Sequence, residues 1–219
     1  MSETAHPSPD FSGIALTERP LIVCDVDEVV LHFLAPFEDF LRDGGYELLP
    51  HSFRLTGNIV SIETKEALDA PEVRGLIEAF FQVQERWQRP VDPVARILDT
   101  LSKQADIVFL TAMPPRYSEH RRRLLDRLGL AFPLIASEAP KGPIVQRLHA
   151  NRALPAVFID DMARNLHSVR DHVAGCLLLH MMPDTPLYRH APQADGASPA
   201  RDWPHAAELI LAHIARQRP

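Results

Sequence analysis

The sequence predicts an α/β fold, a doubly wound parallel sheet with a helical insertion behind its first strand. Three apolar runs, Leu21-Ile22-Val23-Cys24, Ile107-Val108-Phe109-Leu110 and Ala156-Val157-Phe158-Ile159, are continuous rather than alternating, as strands covered on both faces are. Helix-spaced apolar residues separate them, and strand alternating with helix is the signature of a parallel sheet. Each run is followed directly by a polar residue, Asp25, Thr111 or Asp160. Open α/β sheets place their ligands at that end of the strands.

In chain order, residues 1–18 carry Pro7, Pro9, Ser2, Ser8 and Ser12 without apolar periodicity and read as a flexible lead-in. The core domain is expected over residues 19–30 and 91–219. Residues 31–90 are too long for one crossover helix and hold no strong buried-strand run, so they are expected to form an inserted helical unit. Phe33, Phe37 and Phe40 lie at i, i+4 and i+7, and Phe80, Phe81 and Trp87 mark a second helical stretch. These aromatics read as that unit's own small core. Val94, Ile97, Leu98 and Leu101 predict a helix before the second run, and Leu124, Leu125 and Leu128 one after it. Weaker strands are expected at 133–136 and 176–180, giving roughly five in all. Further helices are expected around 142–150, 162–172 and 206–215, and the Pro-rich tract 183–204 reads as a long loop.

Composition narrows the partners. With 23 Lys+Arg against 29 Asp+Glu the chain carries a formal charge of −6, and 46% of its 219 residues are hydrophobic. That excludes disorder and fibre and argues against a nucleic-acid polymer as partner. Arg121-Arg122-Arg123 with Arg127 therefore reads as a solvated helix face. Cys24 and Cys176 belong to no CxxC pair, so neither a disulfide scaffold nor a zinc site is expected. No apolar stretch approaches the roughly 20 residues of a membrane span, and no secretory signal is visible at the start. A soluble cytoplasmic protein without a membrane partner is expected. An apolar face on the insertion would serve either internal packing or a homodimer.

The chemistry concentrates at the strand ends. Asp25-Val26-Asp27-Glu28-Val29-Val30 places two carboxylates directly after the first run. Thr111 closes the second, Lys141 follows Pro140 at a helix start, and Asp160-Asp161 closes the third. Taken singly these are ordinary turn and cap residues. Four carboxylates at one sheet edge repel each other unless cations sit among them. A lysine and a divalent ion would supply that charge, and an all-oxygen donor set favours a hard ion, Mg²⁺. Such a socket suits in-line transfer of a phosphoryl group.

In this order the sequence resembles the haloacid dehalogenase-like superfamily of hydrolases. The apolar strand followed by DxDx[TV][LV] is met by residues 21–30. The apolar run ending in Ser or Thr is met by 107–111, the helix-opening lysine by Lys141, and the strand ending in DD by 157–161. The likeness spans roughly residues 20–180, with 31–90 standing where the superfamily places its C1 cap. It implies hydrolysis of a small phosphorylated substrate, a phosphate monoester, through an aspartyl-phosphate on Asp25. Asp27 would serve as general acid and then base, while Thr111 and Lys141 would bind the phosphoryl oxygens. Mg²⁺ would be held by Asp25, the backbone carbonyl of Asp27, Asp160 and Asp161. Among the arginines of the insertion, Arg54 is a candidate reader of a second anionic group on the substrate.

Two alternatives accompany that reading: a catalytically silent binding or regulatory protein of the same fold, and a phosphonate hydrolase. The latter needs a cap lysine as Schiff base, and Lys65 is the insertion's only lysine. A phosphorelay receiver has its lysine last in order, whereas Lys141 precedes the DD pair. Neither GxGxxG nor GxxxxGK[ST] occurs. Glu28 stands where many phosphatases of this superfamily carry a small residue. A bulky anion there is expected to narrow the entrance, repel dianionic substrates or point into solvent.

Overall fold

The computed structural model describes residues 8–150 and 152–216. Along the chain run β1 (Leu21–Cys24), α1 (Leu34–Asp43), β2 (Tyr46–Leu48), β3 (Ile59–Ser61), α2 (Ala70–Trp87), α3 (Val94–Ser102), β4 (Asp106–Thr111), α4 (Ser118–Arg127), β5 (Leu134–Ala136), α5 (Lys141–His149), β6 (Ala156–Asp160), α6 (Ala163–His172), β7 (Leu177–His180), β8 (Ser198–Pro199) and α7 (Trp203–Arg216). Six strands form one sheet in the order β5-β4-β1-β6-β7-β8, and every pairing is parallel. No helix among the described residues is long and apolar enough to cross a membrane.

Side chains on these strands alternate between two cores, which is why the runs are apolar at every position. Ile22, Cys24, Ile107, Phe109, Val157 and Ile159 join one cluster, covered by α3, α4 and α7. Leu21, Val23, Val108, Leu110, Ala156 and Phe158 join the other, covered by α5 and α6. Register then sets the site. Cys24 pairs with Phe109 on one side and Ile159 on the other, so Asp25 emerges level with Asp160 and one residue short of Thr111.

Two elements differ from the sequence expectation in this core. The strand β8 lies inside the tract read as loop; it is two residues long, and its proline is tolerated because it sits at the sheet edge. Residues 8–18, expected to be a flexible lead-in, instead pack Phe11, Ile14 and Leu16 against the second core. The Arg147 guanidinium lies 4.0 Å from the Phe11 ring centre. The Thr17 amide and Arg19 guanidinium donate to buried Asp106 at 2.6 and 2.8 Å. The first seven residues of that expected lead-in lie outside the described residues.

The segment between Leu31 and Pro90 has a third core of Phe37, Leu41, Ile59, Val73, Phe80 and Phe81, touched from the sheet side by Met113, Tyr117 and Ala136. Its aromatics do pack on one another, as Phe37 and Phe80 show at 5.3 Å between ring centres. It is not purely helical, however. β2 and β3 form an antiparallel hairpin, each three residues long and thus too short to leave a readable period. Helix α2 begins with a capping box in which Asp69 and Glu72 exchange backbone hydrogen bonds at 2.9 and 2.8 Å. The two chain crossings into this segment lie side by side: the His32 amide donates to the Arg89 carbonyl and the Val91 amide to Val30, both at 2.9 Å.

Candidate active site

Lys141 opens α5 and buries its amine between two carboxylates. It donates to Asp25 in a very short contact and to Asp160 at 2.7 Å. Burial alone would depress a lysine pKa, but the charges of Asp160 and Asp25 outweigh that and hold the ammonium above its ordinary value. The helix is set against α6 through Gly142. A Cβ there would stand 2.1 Å from the Ser168 carbonyl oxygen, so only glycine allows this approach. The Gly142 amide donates to Ser168 Oγ at 3.0 Å.

Asp160 does two jobs. Its Oδ1 accepts from the Met162 amide at 2.8 Å, capping the entry to α6, while Oδ2 takes Lys141. Asn165, on the first turn of α6, donates to both oxygens at 3.0 and 3.1 Å. With Asp161, these acids make a compact group: one ligand oxygen each from Asp25, Asp160 and Asp161 lies within 4.8 Å of the others. Burial raises the Asp25 carboxyl to about 7 despite the pull of Lys141, with Asp160 and Asp27 adding to the rise. Burial also lifts Asp161 well above the usual range, reinforced by Asp160 and Asp25 and opposed by a hydrogen bond from Tyr188. Three buried carboxylates face one ammonium, leaving two negative charges uncompensated if all ionise. A hard dication fits both that deficit and the all-oxygen donor set.

Asp27 has different company. Its Oδ1 accepts from Arg121 at 3.0 Å and from the Gln88 amide at 2.8 Å. Its Oδ2 accepts from Arg121 at 3.2 Å and from the Thr111 hydroxyl at 3.3 Å. Gln88 follows α2, so the segment between Leu31 and Pro90 reaches directly into the site.

Two further residues close the surroundings. Tyr188 donates to Asp161 Oδ2 in a very short hydrogen bond, and its ring meets Phe53 edge-on at 5.0 Å. It thereby joins the loop before β8 to the loop before β3. Glu28 neither faces an entrance nor points to solvent, contrary to expectation. It is 7% exposed, and its Oε1 accepts from the amides of Phe33, at 3.0 Å, and Leu34, at the start of α1. Its backbone has φ +67°, a left-handed conformation costing about 1 kcal/mol for a non-glycine residue. Amides that α1 would otherwise leave unpaired explain why that cost is tolerated. Burial raises the Glu28 carboxyl, and those two hydrogen bonds oppose the rise.

Of the residues read from the sequence, Asp25, Lys141, Asp160 and Asp161 are brought together, and Asp27 and Thr111 meet beside them. Arg54 lies exposed next to Phe53, and its side chain makes no hydrogen bond or ion pair with the described residues. Lys65 is exposed and paired with Glu47 at 2.9 Å. Sequence reasoning missed Tyr188, Gln84, Gln88 and Asn165, and it misread Arg121. That arginine is fully buried, not part of a solvated face. A signal was present: Tyr117, Arg121, Leu124 and Leu125 share one helical stripe.

By sequence the chain matches no family model, and no curated protein matches it either. Solved structures do match. A haloacid dehalogenase-like hydrolase of Streptococcus pneumoniae superposes with a TM-score of 0.57 at 14% identity, covering 88% of this chain and 97% of its own. CbbY of Rhodobacter sphaeroides, solved with phosphate, gives 0.57 at 17% identity, covering 90% and 99%. A phosphonoacetaldehyde hydrolase-like protein of Oleispira antarctica gives 0.58 at 10% identity, covering 92% and 94%. Taken with the parallel sheet and the acids at its strand ends, these matches establish that the chain has the haloacid dehalogenase-like fold.

Proposed function

We propose that the protein is a Mg²⁺-dependent phosphoric monoester hydrolase acting in the cytoplasm on a small phosphorylated molecule. The observation that carries this reading is the buried group of Asp25, Asp160 and Asp161 around the Lys141 ammonium. It is an acidic site that a further cation would complete, with Asp25 as its nucleophile and with a hydroxyl donor, Thr111, and a second acid, Asp27, beside it. Residues 31–90 act as the cap, which reaches the site through Gln88 and covers Tyr188 with Phe53.

Asp25, Asp160, Asp161 and the backbone carbonyl of Asp27 would hold the Mg²⁺, which when bound neutralises charge on the phosphoryl oxygens. Asp25 attacks phosphorus, the bond from phosphorus to the alcohol oxygen breaks, and Asp27 gives that oxygen a proton. Lys141 and the Thr111 hydroxyl bind the phosphoryl oxygens as charge shifts toward the leaving group. Water then attacks phosphorus, Asp27 takes its proton, and the bond to Asp25 breaks, releasing inorganic phosphate and the free carboxylate. Arg54, exposed and next to Phe53 in the chain, would be the reader of a further anionic group on the substrate. A phosphonate route through a cap lysine gains nothing from Lys65, whose amine is engaged by Glu47.

The test is phosphate release from a panel of phosphate esters, with Mg²⁺ and with EDTA, for the wild type and Asp25→Asn. Turnover lost under either change is the expected result. Full Mg²⁺-dependent turnover by Asp25→Asn would remove the nucleophile assignment, and no turnover on any ester would shift the reading to a binding protein of the same fold.

A further inference from the structure

We propose that Arg121 is the positioning residue for Asp27, fixing the plane and reach of the carboxylate that serves the leaving group. The proposal rests on the reading of Asp27 as acid and base given above. Arg121 lies on the apolar stripe of α4 and is 0% exposed, where a guanidinium is costly unless fully paired. An aliphatic residue would fill that stripe without desolvating a charge. Every side-chain hydrogen bond it makes with the described residues goes to one cluster. Nη1 donates to Asp27 Oδ2 at 3.2 Å, and Nη2 donates to Oδ1 at 3.0 Å and Oδ2 at 3.2 Å. Nε donates to Gln84 Oε1 in a very short contact, and Nη2 also reaches Gln88 Oε1 at 3.2 Å.

This geometry does what a point charge would not. A planar fork presenting two nitrogens to one carboxylate fixes the carboxylate's plane as well as its distance. Gln84 and Gln88, four residues apart at the end of α2, fix the fork in turn. Gln88 closes the ring by donating to Asp27 Oδ1 at 2.8 Å and to the His32 carbonyl at 3.1 Å. Both partners are neutral amides, and a carboxylate at either position would compete with Asp27 for the guanidinium. The Phe81 ring lies 5.8 Å from the guanidinium carbon. An acid must hold its oxygen within hydrogen-bond reach of the departing atom, and a misplacement of about 1 Å costs on the order of 10²-fold in rate.

The experiment compares kcat/KM for p-nitrophenyl phosphate, whose phenolate leaves with little need of a proton, and glycerol 2-phosphate, whose alkoxide needs one. Asp27→Asn is expected to lose the alkyl ester by about 10²-fold or more and the aryl ester far less. Arg121→Lys keeps the charge but not the fork, and should shift the alkyl-to-aryl ratio the same way by about tenfold or more. Gln88→Met tests the same arrangement without touching a charge and should move the ratio in that direction by a smaller factor. Equal losses on both esters in Arg121→Lys and Gln88→Met, beside a selective loss in Asp27→Asn, would reduce Arg121 to a structural role and overturn the proposal. Asp27→Asn slowing both esters alike would instead overturn the reading of Asp27 itself, and this proposal with it.

Discussion

Asp25 and Asp27 are separated by a single residue, yet one sits in a group where acids outnumber their cation and the other in a matched pair. On the Asp25 side three carboxylates share one ammonium. On the Asp27 side one carboxylate meets one guanidinium, with neutral amides and a hydroxyl around them. The first arrangement is unfinished without a ligand, while the second is electrically complete and constrains only geometry. The difference separates a place where something binds from a place where something is held still.

The comparison is broken most severely at the nucleophile. Asp25→Asn is expected to lower Mg²⁺-dependent phosphate release by about 10⁴-fold or more. The metal-free melting temperature should not fall, since an uncompensated buried charge has been removed. A melting temperature several degrees below wild type would show that the acid group is not short of positive charge. On the other side the order reverses. Arg121→Met should cost about 3 kcal/mol in urea denaturation, because Asp27, 21% exposed, loses its counter-charge. Adding Asp27→Asn to the same chain should recover part of it, and strictly additive losses in the cycle would deny the coupling.

Two gentler tests sharpen the contrast. Asp25 and Asp161 have carboxyls raised by burial, from 3.8 to about 7 in the case of Asp25. A raised folded pKa contributes stability that is fully present below about pH 4 and is lost as pH climbs through about 7. Metal-free protein should therefore lose melting temperature over that window. Mg²⁺ should restore more of it near about pH 8 than near about pH 5, where protonated acids bind it poorly. An equal Mg²⁺ shift at both would argue against these acids as its ligands. The smallest effect is expected from Tyr188→Phe, which removes the hydroxyl that orients Asp161. The Mg²⁺ concentration for half-maximal activity should rise about tenfold with little change in fold, whereas an unchanged Mg²⁺ titration would make Tyr188 a packing residue alone.

The same two sides differ in how far they were readable beforehand. Asp25, Thr111, Lys141 and Asp160-Asp161 each follow an apolar run or open a helix, so short stretches of sequence announce both the element and the group at its end. The partners of Asp27 have no such local marker. Arg121 is enclosed in a run of arginines whose neighbours Arg122 and Arg123 are partly exposed, with side chains at 30% and 53%. Only its place in line with Tyr117 and Leu124 separates it from them. Gln84 and Gln88 gain meaning only once α2 lies against α4, a contact between residues more than 30 positions apart. Tyr188 likewise comes from a tract without periodicity, and Glu28 was misjudged because its role depends on where α1 begins. In the fold, the long buried strands were legible, while the hairpin and β8 were too short to show a period.

The contact at Gly142 has a mechanical meaning for the whole site. Because α5 rests there with backbone directly on α6 backbone, the separation of the two helices is set by main-chain van der Waals radii rather than by side chains that change rotamer. Lys141 sits at the head of one helix and Asp160 just before the other. Their separation is thus gauged against a hard stop, and substitutions elsewhere along α5 and α6 can be absorbed at the far ends without carrying the ammonium away from its acids.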